Sequence, residues 1–417
     1  MFEQALLAMA SVATDPYLLF LIFATTILGV IIGVLPGLGA TTGAALLLPF
    51  TLTMDPVHAI AVLATIYVSA TFAGSITAIL INTPGTSAAA ATTFDGYPLA
   101  QKGEAGRALG VAVISSTVGG VFSVIVLCFA APLLARVAYE FRSPEYFALT
   151  VFGLSMLASI SAGGAVKNLI GGIFGVWLST IGAERVTGIE RFMFGNYELY
   201  EGLHFVPIFI GLFAISELLV QSKTVNKIVN TVSMKAVKLP TKEDYKKIWK
   251  TILRSCGIGT FIGVLPAEGA TVASMIGYSE ARRWSKNKEE FGKGSIEGIA
   301  GAEAANNSAT GGAMVPTMVL GIPGSGTTAI ILVGLMVHGL RPGVYLFTEQ
   351  VEKVYQIFGS MFFANIMFML MGLYAAKVFA RVSLVPTAIL WPIVFGLSVI
   401  GAYAFQGQLL DVWLALI

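Results

Sequence analysis

The sequence predicts an all-α polytopic membrane protein with inverted-topology repeats, re-entrant helical hairpins and broken helices. Three observations predict this fold: the apolar composition, a glycine–proline motif that recurs in each half, and the distribution of lysine and arginine among the loops. Hydrophobic residues make up 56% of the 417 residues and charged residues only 12%, whereas a soluble domain carries roughly 25% charged residues. The 46 glycines also fit membrane helices, where glycine permits close backbone approach and helix breaks.

Apolar segments mark the candidate membrane elements. The first, residues 17–35, contains 19 residues and is long enough to cross a bilayer. Because no Lys or Arg precedes Lys102, this segment lacks the basic region of a signal peptide, and we expect it to remain in the mature protein. The last run, residues 412–417, is too short to cross, so we expect a truncated chain or an incomplete final segment. The other long segments are 57–82, 108–135, 146–163, 168–183, 203–221, 299–336, 354–379 and 384–404, and the shorter ones are 40–52, 251–265 and 269–279.

Basic residues in the loops predict the orientation. Residues 222–250 hold eight lysines and residues 281–294 hold five lysines and arginines, whereas the first sixteen residues hold neither. We therefore expect both basic loops in the cytoplasm and the N-terminus outside. The chain between the two loops must enter and leave the membrane on one side, which predicts a helical hairpin broken at residues 266–269. A pair of kinked helices that spans the membrane fully is the alternative.

A repeated motif divides the chain into two halves. Gly33-Val-Leu-Pro-Gly-Leu-Gly-Ala-Thr41 and Gly263-Val-Leu-Pro-Ala-Glu-Gly-Ala-Thr271 agree at seven of nine positions. A second pair of motifs follows in the same order, Ser69-Ala-Thr71 and Ser308-Ala-Thr310. The first half starts outside and the second starts inside, which is the construction of many secondary transporters. The predicted organisation is a first inverted repeat over 1–221, a basic cytoplasmic linker over 222–250, and a second repeat over 251–417.

Polar residues at the interrupted segments are the candidate binding groups. Free amides at helix N-termini suit carboxylates, and free helix carbonyls together with side-chain oxygens suit Na⁺. For a single hydroxyl, a bond back to its own helix is the structural alternative. The predicted substrate-binding residues are Asn82, Thr83, Gly85, Thr86, Ser87, Asn306, Asn307, Gly324, Ser325, Thr327 and Thr328. The predicted cation-binding residues are Gly37, Gly39, Thr41, Thr42, Glu268, Gly269 and Thr271.

Two carboxyl groups lie in apolar surroundings, where acidic residues are usually functional. Glu268 is expected at the hairpin tip, where it would bind a cation, relay a proton or simply reach water. Glu303 precedes Asn306 and Asn307 by one helical turn, so the three are expected to share a face. The sequence predicts no cofactor and leaves the coupling ion open between Na⁺ and H⁺.

Other classes of protein find little support in the residues. The chain contains no HExxH motif and no GxxxxGK[ST] phosphate loop, and its three histidines have no metal-ligand spacing. Cys128 and Cys256 lie in apolar segments and are expected to be packing residues. The net charge of +2 gives no reason to expect nucleic acid. A channel, a lipid-modifying membrane enzyme and a non-transporting scaffold subunit remain the alternatives to a transporter.

The long motifs together resemble the large membrane subunit of the tripartite tricarboxylate transporters, the TctA family. The resemblance rests on Gly33-Val-Leu-Pro-Gly-Leu-Gly, Asn82-Thr-Pro-Gly, Asp95-Gly-Tyr-Pro, Glu303-Ala-Ala-Asn-Asn307, Gly321-Ile-Pro-Gly-Ser325 and His338-Gly-Leu-Arg-Pro-Gly343. It implies a permease of the bacterial inner membrane that works with a small four-helix membrane subunit and a periplasmic solute-binding protein. It also implies uptake of citrate-like carboxylates with an ion gradient, and an elevator-like motion by analogy with TRAP-type carriers.

Overall fold

Helices form nearly all of the regular structure in a computed structural model that describes residues 2–160, 164–184, 187–222, 232, 236–266 and 269–417. Within these residues one short antiparallel pair, β1 (Gly182–Ala183) and β2 (Glu190–Arg191), places Gly182 opposite Arg191. The helices of the first half are α1 (Phe2–Thr14), α2 (Pro16–Val34), α3 (Ala40–Thr51), α4 (Pro56–Ile81), α5 (Thr93–Leu99), α6 (Ala105–Ala138), α7 (Ser143–Ile160), α8 (Ala165–Leu178), α9 (Phe205–Phe209) and α10 (Ser216–Gln221). Those of the second half are α11 (Lys242–Val264), α12 (Gly269–Trp284), α13 (Ile296–Leu320), α14 (Gly326–Val337), α15 (Val351–Tyr374), α16 (Ala376–Val382), α17 (Thr387–Gln406) and α18 (Leu409–Leu416).

Five of the described helical stretches are long and apolar enough to cross a membrane. They are Pro16–Val34, Pro56–Ile81, Thr93–Ala138, Val351–Tyr374 and Ile389–Gln406. Shorter apolar helices, including α3 and α14, pack among them. The prediction of an all-α polytopic membrane protein is therefore confirmed.

The helix ends follow from local sequence. Asp15 and Asp55 each accept backbone hydrogen bonds at the start of α2 and α4, and in both helices Pro occupies the next position. Helices α4 and α13 both end in a left-handed residue, Asn82 with φ 55° and Gly321 with φ 68°. The separation of these two caps matches that of the Ser-Ala-Thr motifs, so the repeat seen in the sequence is also a repeat of backbone geometry.

Glycines of the repeated motif allow helices to touch backbone to backbone. A Cβ built on Gly33 in α2 would lie 2.4 Å from the carbonyl oxygen of Ala70 in α4. The equivalent contact in the second half joins Gly263 of α11 to Ala309 of α13. A Cβ built on Gly263 would likewise lie 2.4 Å from the carbonyl oxygen of Ala309. In each half, the first arm of the hairpin therefore packs against the long helix that follows it, at equivalent positions.

The two halves run in opposite directions, as predicted. Helix α13 is parallel to α6, because Glu303 meets Ser116 and Gly311 meets Ser123 further along both helices. Helix α15 is antiparallel to α6, because Asn365 lies at Gly120 whereas the earlier residue Tyr355 bonds Cys128. Helix α4 is parallel to α15, because Ala61 and Ala364 belong to one buried cluster and, further along both helices, Phe72 stacks on Phe368. Helix α4 is therefore antiparallel to its counterpart α13.

Both hairpins return to the end from which they start. In the first hairpin, the Asp15 carboxylate before α2 lies 3.6 Å from the ring of His58 at the start of α4. In the second, Lys247 near the start of α11 forms a 2.6 Å ion pair with Glu290, which follows α12. This geometry matches the predicted return of each hairpin to the side from which it enters.

The basic end of the molecule is held together by ion pairs. The Arg107 guanidinium lies 2.5 Å from the Asp244 carboxylate and 2.6 Å from Glu104. Burial acts to raise the pKa of Asp244, but hydrogen bonds from Arg107 and Thr241 hold it below its usual value. The start of α6 and the start of α11 are thereby fixed to each other at the end that the sequence places in the cytoplasm.

Candidate functional site

A cavity of about 410 Å³ lies where the interrupted segments of both halves meet. Each half contributes the tip of its hairpin and the break that follows its long helix, and the π-helical stretch Ile210–Ile215 with α10 closes another wall. The volume is in the range of small-molecule sites. Its lining includes eleven of the predicted site residues, namely Gly37, Gly39, Thr41, Thr42, Gly85, Thr86, Ser87, Gly269, Thr271, Ser325 and Thr327.

Helix N-termini converge on this cavity. Helices α3, α12 and α14, and the 3₁₀ turn Ser87–Ala89, all begin at residues that line it. Gly39 precedes α3 without a side-chain cap, so the first amides of that helix are left for water or a ligand. No Lys or Arg lines the cavity among the described residues, and the only charged lining residue there is Glu217. Helix dipoles and amides are therefore its main source of positive potential.

Hydroxyl pairs join the hairpin tip of one half to the break of the other. The Oγ1 atoms of Thr41 and Thr327 are 2.9 Å apart, and the Thr271 hydroxyl donates to Ser87 Oγ at 2.9 Å. The residues predicted to bind a cation and those predicted to bind substrate thus touch each other. Members of both sets therefore line one cavity.

Two further hydroxyl groups, those of Thr86 and Ser325, lie in the cavity wall. The Thr86 side chain is 7% exposed, and its Oγ1 has no hydrogen-bond partner among the described residues. An unpaired buried hydroxyl is costly, which makes Thr86 a candidate ligand contact. Ser325 donates to the Tyr67 hydroxyl at 3.3 Å and also forms a capping box with Thr328 at the start of α14.

Some predicted site residues lie outside the cavity lining. Asn82 and Thr83 are exposed at the left-handed end of α4. Gly324 packs against Ala313 and the Gly263 carbonyl, and Thr328 bonds within its own helix. Glu268 lies outside the described residues. A role for these residues in binding remains a prediction.

Asn306 and Asn307 are fully buried behind the wall of the cavity. The Asn306 amide donates to the Ala88 carbonyl at 3.2 Å, and Ala88 lines the cavity. Glu303, one turn earlier, is also fully buried and accepts hydrogen bonds from Thr92 and from Ser116, the latter at 2.7 Å. Glu303 and Asn306 share a polar face, as expected, and this face is packed against the first half.

Sequence reasoning missed several lining residues, among them Tyr67, Thr71, Phe213, Ser216 and Glu217. Glu217 could have been recognised from the sequence, because it is the only acidic residue in the apolar segment 203–221 and such residues are commonly functional. It accepts a hydrogen bond from Gln221 at 3.1 Å. Gly37, with φ +88°, has no room for a side chain because Glu217 and Gln221 occupy that space.

Comparison with known proteins gives a family match over nearly the whole chain. The model of the tripartite tricarboxylate transporter TctA family matches residues 19–417. An uncharacterized 52.8 kDa protein of the TAR-I ttuC' 3' region of Agrobacterium vitis is 38% identical over 393 residues, covering 94% of this chain and 78% of the relative. An uncharacterized protein of the TAR-II ttuC' 3' region of the same organism is 34% identical over 155 residues, covering 37% of this chain and 64% of that protein. No solved structure matches significantly.

Proposed function

Because the chain belongs to the tripartite tricarboxylate transporter TctA family, as its motifs predicted, we propose that it is the permease subunit of a binding-protein-dependent secondary transporter. It imports a tricarboxylate or a related carboxylate and is driven by a cation gradient. Its partners are a small four-helix membrane subunit and a periplasmic solute-binding protein, and its location is the bacterial inner membrane.

The observation that carries this proposal is the cavity between the two hairpin tips. Helix N-termini from both halves open onto it, and carboxylates bind favourably at such ends. Thr86 contributes an unpaired hydroxyl, and the hydroxyls of Thr41 and Thr271 line opposite hairpins. Antiparallel halves around a central site are the construction that allows a transporter to open alternately to either side.

The charge of the lining supports coupling to a cation. Glu217 contributes a negative charge and no basic residue compensates it among the described lining residues. A carboxylate with several charges would be repelled by Glu217 unless a cation entered with it. The hydroxyls of Thr41, Thr42 and Ser216 supply the oxygen atoms that a hard cation prefers.

The test is uptake of labelled citrate into proteoliposomes that contain this chain, its small membrane partner and its binding protein. We expect uptake that requires the binding protein and that rises with an inward gradient of Na⁺ or of protons. Uptake of other carboxylates but not citrate would redirect the substrate assignment and keep the mechanism. Ion conduction without the binding protein would overturn the proposal in favour of a channel.

A further inference from the structure

We propose that Glu303 is a proton-binding site at the interface of the two halves, and that its carboxyl group is protonated in the conformation described. This inference deepens the proposed function, because it assigns the coupling ion to a residue. The cavity does not include Glu303 in its lining. The proton site and the substrate site are therefore separate.

Burial without a countercharge is the first argument. Glu303 is 0% exposed, and none of the salt bridges found among the described residues includes it. An ionised carboxylate at such a position is strongly disfavoured unless a cation neutralises it. In a membrane interior, acidic residues of this kind serve ion or proton movement.

The surrounding titratable groups do not supply that cation. The elements packed against α13 carry titratable or charged groups that include Asp95 on α5, Arg107 at the start of α6, Cys256 and Arg254 on α11, Tyr278 on α12, and Glu297 on α13 itself. Arg107 pairs with Asp244 and Glu104, and Arg254 stacks on Trp284. Asp95 accepts hydrogen bonds from the amides of Gly294 and Ser295, and Glu297 from Ser285. None of these groups is hydrogen-bonded to Glu303 in the described residues.

The close packing favours a proton over a metal ion. A Cβ built on Gly119 of α6 would lie 2.3 Å from the Ala304 carbonyl, and one built on Gly259 of α11 would lie 2.1 Å from the Ala305 carbonyl. The backbones of three helices therefore meet next to Glu303 and leave little space for a coordination shell. The hydroxyls of Thr92 and Ser116 each lie against one carboxyl oxygen, so in the protonated form one hydroxyl accepts the carboxyl hydrogen while the other donates, and both oxygens are satisfied without a metal.

The contacts also connect this site to the cavity wall. Thr92 bonds Glu303 and Asn306 bonds Ala88, so α13 holds the chain segment from Ala88 to Thr92 at two points. That segment continues the wall formed by Thr86 and Ser87. A proton on Glu303 stabilises this arrangement, and its loss leaves a charge that only hydration or a shift of the segment can relieve. Proton binding and substrate release are thereby coupled.

The direct test is infrared difference spectroscopy of the purified protein across a pH titration. We expect the carbonyl band of a buried carboxylic acid in the wild type and in Glu297→Gln, and its loss in Glu303→Gln. Glu297 is the matched control because it lies on the same helix, is 9% exposed and accepts a serine hydroxyl. An unchanged band in Glu303→Gln would overturn the proposal. So would a band that disappears with sodium chloride but not with choline chloride, since that would assign a metal ion.

Transport then tests the coupling separately from the proton site. In proteoliposomes with both partners, we expect an inward proton gradient to accelerate net uptake by the wild type and by Glu297→Gln. In Glu303→Gln we expect loss of that acceleration while exchange of labelled for unlabelled substrate persists. Acceleration equal to the wild type in Glu303→Gln would refute coupling at this residue. Absence of uptake by the wild type would reject the proposed function and leave the infrared result standing.

Discussion

At the scale of single residues, the threonine hydroxyls of the hairpin helices separate into two kinds. Thr26 and Thr260 bond back to carbonyls of their own helices at 2.6 and 2.8 Å, as threonines in membrane helices commonly do. Thr41 and Thr271 reach instead across the cavity to the opposite half. Hydroxyls of the second kind can exchange their protein partner for a ligand at a small cost in free energy, as a binding site requires.

Replacing Thr41 by Val should weaken substrate uptake without loss of folded protein. Valine keeps the shape of threonine but removes one hydroxyl, and one hydrogen bond contributes about 1 kcal/mol, which corresponds to about a fivefold change in affinity. We expect KM for uptake to rise by about that factor. The matched control is Thr26→Val, which removes a fully buried hydroxyl on α2 away from the cavity. Equal KM values for the two variants would remove Thr41 from the site.

Site residues can be predicted from the sequence where a chain break sets their position. They are harder to predict where helix packing sets it. Gly37, Gly85 and Gly269 mark chain breaks, and breaks are visible in a sequence as glycine and proline. Asn306 and Asn307 were predicted from their polarity alone, but the face they present is set by how α13 packs against α6 and α11. Tyr67 and Glu217 enter the cavity from helices that contain no break, so the pattern of breaks gave no indication of them.

At the scale of helices, the contact between each hairpin and the long helix after it is made by glycine. A methyl group at Gly263 would meet the Ala309 carbonyl, as one at Gly33 would meet the Ala70 carbonyl. These are backbone atoms, so neither neighbour can move without shifting a whole helix. The requirement explains why the same glycine stands at equivalent positions of both halves.

Replacing Gly263 by Ala should therefore destabilise the second hairpin. Overpacking of this kind costs about 1–3 kcal/mol, and we expect a lower Tm of the detergent-solubilised protein. Gly257→Ala is the control on the same helix α11, because a Cβ there has no neighbour within 4 Å. Alanine is the better helix former by about 0.5–1 kcal/mol, so the control should retain or raise Tm. A drop of the same size in both variants would contradict the close-contact explanation.

Helix boundaries show where hydropathy is informative. The predicted segment 251–265 corresponds to α11, which begins earlier at Lys242. Its first turns are rich in lysine and project beyond the apolar region, so an apolar pattern cannot detect them. The predicted segment 299–336 covers most of α13 and α14. Apolar residues continue on both sides of the break between them, so hydropathy does not show it. Pro323-Gly324 is what marks the break.

At the scale of the whole molecule, charge and connectivity determine the topology together. Lys102 donates to the Lys293 carbonyl at 2.6 Å, and the Lys238 amide donates to the Gly106 carbonyl at 2.9 Å. These contacts gather the basic segments at one end. The opposite end holds Asp15 and His58, and within the described part of the chain no Lys or Arg forms an ion pair with Asp15. The inverted arrangement follows, and the positive-inside rule places the basic end in the cytoplasm.

Single-cysteine labelling in intact cells tests this topology. In a background with Cys128 and Cys256 replaced by Ala, an impermeant maleimide should label Thr14→Cys and Thr53→Cys from outside. Lys242→Cys and Asn287→Cys should react only after the cells are opened, because the chain between them dips into the membrane and returns. All four native side chains are exposed, so accessibility to water is matched.

Labelling of Lys242→Cys and Asn287→Cys on opposite sides would mean that the chain between them crosses the membrane an odd number of times instead of returning to its starting side. The contact between Lys247 and Glu290 at 2.6 Å could not then exist, and the second half would lose its inverted relation to the first. Labelling of Lys242→Cys and Asn287→Cys from outside, with Thr14→Cys and Thr53→Cys reacting only in opened cells, would reverse the charge-based orientation but keep both hairpins. The two outcomes separate the fold from its placement in the membrane, because the first depends on helix connectivity and the second only on the basic loops.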